Sequence, residues 1–216
     1  MKAYQFVVKL EHVGQDVWRR FIIPAETNFK RLHETIQMAM GWSNYHLFSF
    51  TIPLSNGRQL ELVTDEETIA NHRNQVDSLL LRSQNKENLN MDYVLERKNT
   101  DMRLAQKTKL PKYVEAQPVF TYHYDFGDDW KHLVLLEEIL EDYNLGYPQV
   151  LDGEGFCPPE DVGGPSGYEN FLRVLENPED EEYEHLKNWA NSQGYAAFNQ
   201  QQTNDFMKTI LKLKKV

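Results

Sequence analysis

Groups able to offer oxygen or nitrogen to a reacting centre gather in two short stretches of this chain. Asp125, Asp128, Asp129 and His132 belong to Y-H-Y-D-F-G-D-D-W-K-H (Tyr122 to His132). Glu154, Glu160 and Asp161 belong to G-E-G-F-C-P-P-E-D-V-G-G-P-S-G-Y (Gly153 to Tyr168). Carboxylates with an imidazole suit Mg²⁺, Mn²⁺ or Zn²⁺, and an ion held this way can activate water for hydrolysis. One expectation is therefore a divalent metal on Asp128, Asp129, His132 and Glu160. In that reading Asp125, Asp128, His132 and Glu160 carry the chemistry of a phosphoester-type hydrolase. The spacing matches no recognised metal motif, neither H-E-x-x-H nor an EF-hand series. Asp128 and Asp129 would also point apart in extended backbone.

The plainer reading is structural. Gly127-Asp128-Asp129 is turn chemistry and closes a hairpin. Glu160 and Asp161 would accept the backbone N–H groups that hold the loop from Pro158-Pro159 to Gly163-Gly164, with His132 satisfying one acid. Tyr122, Tyr124 and Trp130 read as core or cross-strand pairs. Gly163-Gly164 before a helix could present N–H groups to an anion, but it lacks the lysine and spacing of a P-loop. Cys157 as a nucleophile would need a base, and His132 is the nearest by motif. A third reading is a binding module: a rigid aromatic hairpin beside a glycine-rich loop, with Trp18, Arg20, Pro159, Asp161, Gly163 and Gly164 contributing. Aromatics on a fixed scaffold bind at low entropic cost.

The flanking sequence supplies the elements that must position these groups. Tyr4, Phe6, Val8 and Leu10 alternate as one face of a strand, and Val17 to Ile23 is its hairpin partner. Trp18-Arg19-Arg20 lies in the second strand, where neighbours face opposite ways, so at most one arginine lines a site. Thr27 or Asn28 caps a helix running to Met40, with Phe29, Leu32, Ile36, Ala39 and Met40 on one stripe, His33 beside it and Gly41 at the stop. His46 to Ile52 and Arg58 to Val63 are strands joined by an Asn56-Gly57 turn. Thr64 and Glu67 have capping-box spacing before a short helix. Residues 83–112 show weak periodicity and read as a surface insertion. Val119 to Phe126 and Trp130 to Ile139 form a hairpin central to the sheet, and Tyr147 to Leu151 is extended. Ser166 and Glu169 make a second capping box ahead of the stripe Tyr168, Phe171, Leu172 and Leu175, stopped at Pro178. Two more helices follow: one with Tyr183, Leu186, Trp189 and Ala190 inward, one capped by Thr203 with Phe206, Ile210 and Leu213 on a side. Strands first and helices last predict a single α+β domain over 1–216, a mainly antiparallel sheet with helices packed on it and a mostly helical C-terminal part.

Composition narrows the partners. Net charge is −10, from 23 Lys plus Arg against 33 Asp plus Glu. Such a chain repels nucleic acid overall, and the lysines at 208, 212, 214 and 215 read as a cationic complement to a helix dipole. A basic protein partner is favoured. The lone Cys157 excludes an intrachain disulfide and a multi-cysteine zinc site. The chain starts without a signal-peptide pattern and carries no run of about 20 apolar residues, so the expected setting is cytoplasmic, with no membrane contact.

V-W-R-R (Val17 to Arg20), L-H-E-T-I-Q-M-A-M-G-W (Leu32 to Trp42), H-L-F-S-F (His46 to Phe50), Y-D-F-G-D-D-W-K-H (Tyr124 to His132) and the loop Gly153 to Tyr168 together resemble the plasmid pRiA4b ORF-3-like family. The resemblance covers most of the chain and fades over residues 64–114. It implies association with plasmids and transposon genes. It brings no established activity and so no catalytic residues. The role expected on these grounds is a non-catalytic binding or accessory module, with the metal-dependent hydrolase as the alternative.

Overall fold

The computed structural model describes residues 1–85 and 87–212. One eight-stranded sheet runs through it. β1 (Ala3–Leu10) and β2 (Trp18–Pro24) pair antiparallel, followed by α1 (Phe29–Met40), β3 (Phe48–Pro53) and β4 (Gln59–Val63). α2 (Glu66–Gln84), α3 (Met91–Lys98) and β5 (Thr100–Leu104) come next, then the hairpin β6 (Val119–Tyr124) and β7 (Trp130–Leu140), and β8 (Gln149–Glu154). The chain finishes with α4 (Gly164–Leu175), α5 (Tyr183–Ser192) and α6 (Gln200–Ile210). The spatial order is β5-β4-β3-β6-β7-β1-β2-β8. Every pairing is antiparallel except β4 with β5. The fold is α+β.

Period-two alternation explains the interior. Tyr4, Phe6, Val8 and Leu10 of β1, Phe120, Tyr122 and Tyr124 of β6, and Trp130 and Val134 of β7 all turn to one face and are buried. α1 lies on that face and buries Phe29, Leu32, His33, Ile36, Ala39 and Met40. Each large side chain so removed from water contributes roughly 1.5–3 kcal/mol before chain entropy is charged against it. Asn28 caps the helix by accepting the Arg31 N–H, and Gly41 ends it in the left-handed region at φ 96°.

Several boundaries differ from the sequence expectation for local reasons. α2 is capped by Asp65, one residue beyond Thr64, and is long rather than short because its exposed faces are filled with helix-tolerant polar residues. Residues 83–112, expected as a surface insertion, hold α3 and the edge strand β5, and bury Val94, Leu104, Ala105 and Leu110. A parallel edge strand needs a long crossover, here α2 and α3, so no turn signal marks it. Ser166 does not cap α4: Gly163 does, and Ser166 lies inside the helix. Asn199, not Thr203, caps α6, which buries Met207, is followed by the buried Leu211, and leaves Phe206 and Ile210 exposed. Leu213, Lys214 and Lys215 lie outside the described residues.

Candidate functional site

The hairpin turn is built around Asp125. Its φ of 53° takes the chain out of β6, and its Oδ1 accepts the Gly127 N–H at 2.9 Å. Its carbonyl accepts the Asp129 N–H at 2.7 Å, closing the loop. This local side-chain bond is what aspartate offers in the left-handed region. The turn breaks the alternation, so Phe126 ends half exposed rather than inside with Tyr124.

The remaining acids of the string go elsewhere. Asp128 Oδ2 accepts the Gly163 N–H at 3.1 Å, so the double glycine does meet an anion, and that anion is the protein's own carboxylate. Gly164 sits at φ 69°, and a Cβ there would stand 2.5 Å from the Asp128 carbonyl oxygen, so the hairpin turn and the start of α4 touch through backbone. Asp129 faces outward between His123 (2.8 Å) and Lys131 (2.8 Å).

His132 is fully buried. Its Nδ1 lies 3.3 Å from the Tyr122 carbonyl and its Nε2 has no partner. Trp42 packs edge-on against it at 5.3 Å and Tyr122 at 5.2 Å. Burial holds the imidazole pKa down to about 3, so it stays neutral. Trp130 is equally buried. The expected sets Asp128, Asp129, His132, Glu160 and Asp125, Asp128, His132, Glu160 therefore do not converge. Among the described residues, the group of three His, Cys, Asp or Glu side chains whose donor atoms all lie within 4.8 Å of one another is His46, Asp125 and Asp161. Burial pushes the Cys157 thiol pKa up, which disfavours the thiolate a nucleophile needs.

His46 leads into β3, and its Nε2 faces Asp161 Oδ1 at 3.3 Å, Asp125 Oδ2 at 3.5 Å and Glu160 Oε2 at 3.8 Å. That nitrogen is shielded from solvent and makes no hydrogen bond. Glu160 is only 8 % exposed. Its Oε1 accepts the Ser43 N–H at 2.8 Å and the Tyr124 hydroxyl at 3.0 Å. Burial raises the Glu160 pKa, and these two donors and His46 oppose the rise. Glu160 thus ties its loop to the end of α1 and to β6, while Asp161 is exposed and takes the left-handed region at φ 58°. No motif signal picked out His46; the only hint was its place in the H-L-F-S-F string.

Beside this cluster lies a cleft of about 300 Å³. Trp42, Pro158, Pro159, Glu160, Tyr195, Phe198 and Phe206 line it, with Arg19 at its base. The Trp42 indole N–H donates to the Pro158 carbonyl at 2.9 Å and fixes that wall. Arg19 is buried and donates to the carbonyls of Ala39 (2.9 Å), Trp18 (2.8 Å), Glu154 (2.6 Å) and Gly155 (3.1 Å). It stacks on Phe198 at 4.2 Å and so joins α1, β2, β8 and the segment before α6. Of the two arginines, this is the one on the inner side. Trp18 and Arg20 face away: Arg20 forks onto Glu137 at 2.7 and 3.0 Å, and Trp18 reaches Glu154 at 3.3 Å.

An α+β body whose most distinctive strings lock a hairpin against a glycine-rich loop is a fold already seen. A "Protein of Unknown Function MM3350" from Methanosarcina mazei Go1 superposes with a TM-score of 0.72 at 26% identity, covering 93% of this chain and 97% of that one. "Uncharacterized protein y4hQ" of Sinorhizobium fredii is 32% identical over 199 residues, 91% of this chain and 86% of that protein. The sequence profile of the plasmid pRiA4b ORF-3-like protein matches residues 2–205, and the chain belongs to that family. Among the described residues no helix is long and apolar enough to cross a membrane.

Proposed function

We propose that the protein is a non-catalytic binding module that holds a short segment of a partner protein in the cleft between Trp42, Phe198 and Phe206. The observation that carries this reading is the aromatic cleft with an unburied rim. Phe206 lines it yet remains 52 % exposed, and Ile210, one turn along α6, is 61 % exposed. These two form an i, i+4 apolar ridge leading from the cleft mouth. The floor is rigid, because Arg19 and the Trp42–Pro158 bond fix its walls. A preorganised aromatic site binds at low ordering cost. The net charge of −10 favours a segment with basic residues flanking an apolar anchor.

Panning a displayed peptide library against the protein tests this, with Phe206→Asp and Ala197→Arg as counter-selections. Both positions line the cleft and both side chains are exposed, so neither change threatens the core. Enriched peptides that share an apolar anchor and lose binding roughly tenfold or more to either variant are expected. Peptides that bind all three proteins equally would overturn the reading.

A further inference from the structure

His46, Asp125 and Asp161 come from three separate segments: the approach to β3, the β6–β7 turn and the loop before α4. Nothing in their sequence spacing brings them together, yet their donor atoms all lie within 4.8 Å of one another. Bare acids would be unremarkable on an acidic protein, but two observations go further. The His46 Nε2 is closed off from solvent and makes no hydrogen bond, although three carboxylate oxygens lie within 3.8 Å of it. Asp125 is 7 % exposed, its Oδ1 is used by the Gly127 N–H, and its Oδ2 is turned towards that nitrogen. Ligands on a tetrahedral ion with bonds of about 2.1 Å stand about 3.4 Å apart. The separations of His46 Nε2 from Asp161 and Asp125 are 3.3 and 3.5 Å.

We propose that His46, Asp125 and Asp161 form a site for a divalent transition ion of the Zn²⁺ class, with Glu160 within reach as a fourth ligand. One imidazole with carboxylates favours such an ion over Mg²⁺ or Ca²⁺, which prefer oxygen alone. Glu160 Oε2 stands 3.8 Å from the imidazole nitrogen, and the Tyr124 hydroxyl steadies its carboxylate from behind. Outer hydrogen bonds of this kind orient metal ligands. The ion would clamp the hairpin turn, the entry to β3 and the loop that walls the cleft. His46, Asp125 and Asp161 lie outside the cleft lining, and Glu160 alone is shared with it, so metal uptake can be read separately from peptide binding.

Isothermal titration of the metal-stripped full-length protein with ZnCl₂ tests the site, followed by Co²⁺ absorption spectroscopy. The variants are His46→Gln and Asp161→Asn; the Asp161 side chain is 74% exposed, so that protein folds. The expected result is one ion per chain, a visible Co²⁺ spectrum of a nitrogen- and oxygen-ligated ion, and affinity roughly 100-fold weaker in each variant. Equal Zn²⁺ affinity in wild type and Asp161→Asn would overturn the proposal, as would no saturable uptake by the wild type. Binding of Mg²⁺ or Ca²⁺ that is indifferent to His46→Gln would overturn it too. In each of those cases His46 would stand beside the carboxylates with no ion between them.

Discussion

The strands and the turn of the β6–β7 hairpin treat their polar groups in opposite ways. Along the strands, Tyr122, Trp130 and His132 are sealed between α1 and the sheet, and His132 is held neutral by burial. At the turn a few residues away, Asp125 and its neighbours across space, His46 and Asp161, meet where solvent can reach Asp161. Both belong to the most distinctive string of the sequence. Of the two, the turn is where carboxylates such as Asp129 and, across space, Asp161 reach solvent. A conspicuous run of residues can therefore be scaffold for most of its length and a site at one tip, and burial decides which part is which.

The contrast is sharpest in stability. Trp130→Ala empties the interior beneath Trp42 and Tyr168, and buried tryptophan truncations cost about 3–5 kcal/mol. His46→Gln, beside the turn, should change stability by no more than about 1 kcal/mol in metal-free protein. Urea unfolding of the two variants measures this difference. Similar losses would mean that the turn cluster is part of the scaffold after all, as an ion pair the fold depends on.

The arginines of β2 give the same comparison across one strand. Arg19→Ala strips four carbonyls of their donor inside the protein, and unpaired buried groups cost about 1–3 kcal/mol each where water cannot replace the bond. A net loss of roughly 3 kcal/mol is expected. Arg20→Ala removes a half-exposed ion pair to Glu137 and should cost about 1 kcal/mol or less. Chemical denaturation of both variants checks the ranking. An inverted order would remove Arg19 from its place as the staple at the base of the cleft.

What the sequence revealed follows from the same physics. The strands of the central hairpins, the stripe on α1, a cap at Thr27 or Asn28, the Gly41 stop and the α+β class were legible because period and capping are local. The parallel edge strand β5 was not, since its partner β4 lies beyond two helices. At the site, the alternation rule allowed one inward arginine and could not say which, because both faces of β2 carry apolar residues: Val17, Phe21 and Ile23 on the side of Arg19, Trp18 and Ile22 on the side of Arg20. Glu160 was found as a candidate acid and does sit in the cluster, whereas His132 was carried along by the same string and sits in the core. His46 was out of reach: its role depends on two loops converging from Asp125 and Asp161, and no spacing along the chain encodes that.

The buried histidines extend the comparison to pH. Burial lowers the pKa of His132 to about 3 and of His33 to about 4, against about 6.5 in an unfolded chain. His33 is neutral for a visible reason: Asn44 Oδ1 can only accept, so Nε2 carries the proton, and Nδ1 accepts from the Tyr122 hydroxyl at 2.7 Å. Below pH 6.5 the unfolded chain binds these protons and the native protein does not. Stability is thus complete above that pH, falls as pH drops towards 4 and 3, and then levels. Each histidine contributes a slope of about 1.4 kcal/mol per pH unit inside its window. Glu160 acts with the opposite sign, because its raised pKa makes the native state hold a proton longer than the unfolded chain does. Its effect is confined to the pH range just above the ordinary carboxylate value. His132→Asn keeps a donor for the Tyr122 carbonyl and cannot titrate. Its urea unfolding between pH 4.5 and 6.5 should show a pH slope shallower by roughly 1.4 kcal/mol per unit. An unchanged slope would mean that the imidazole is protonated in the native protein, and the division between a silent core and an active turn would fail at its centre.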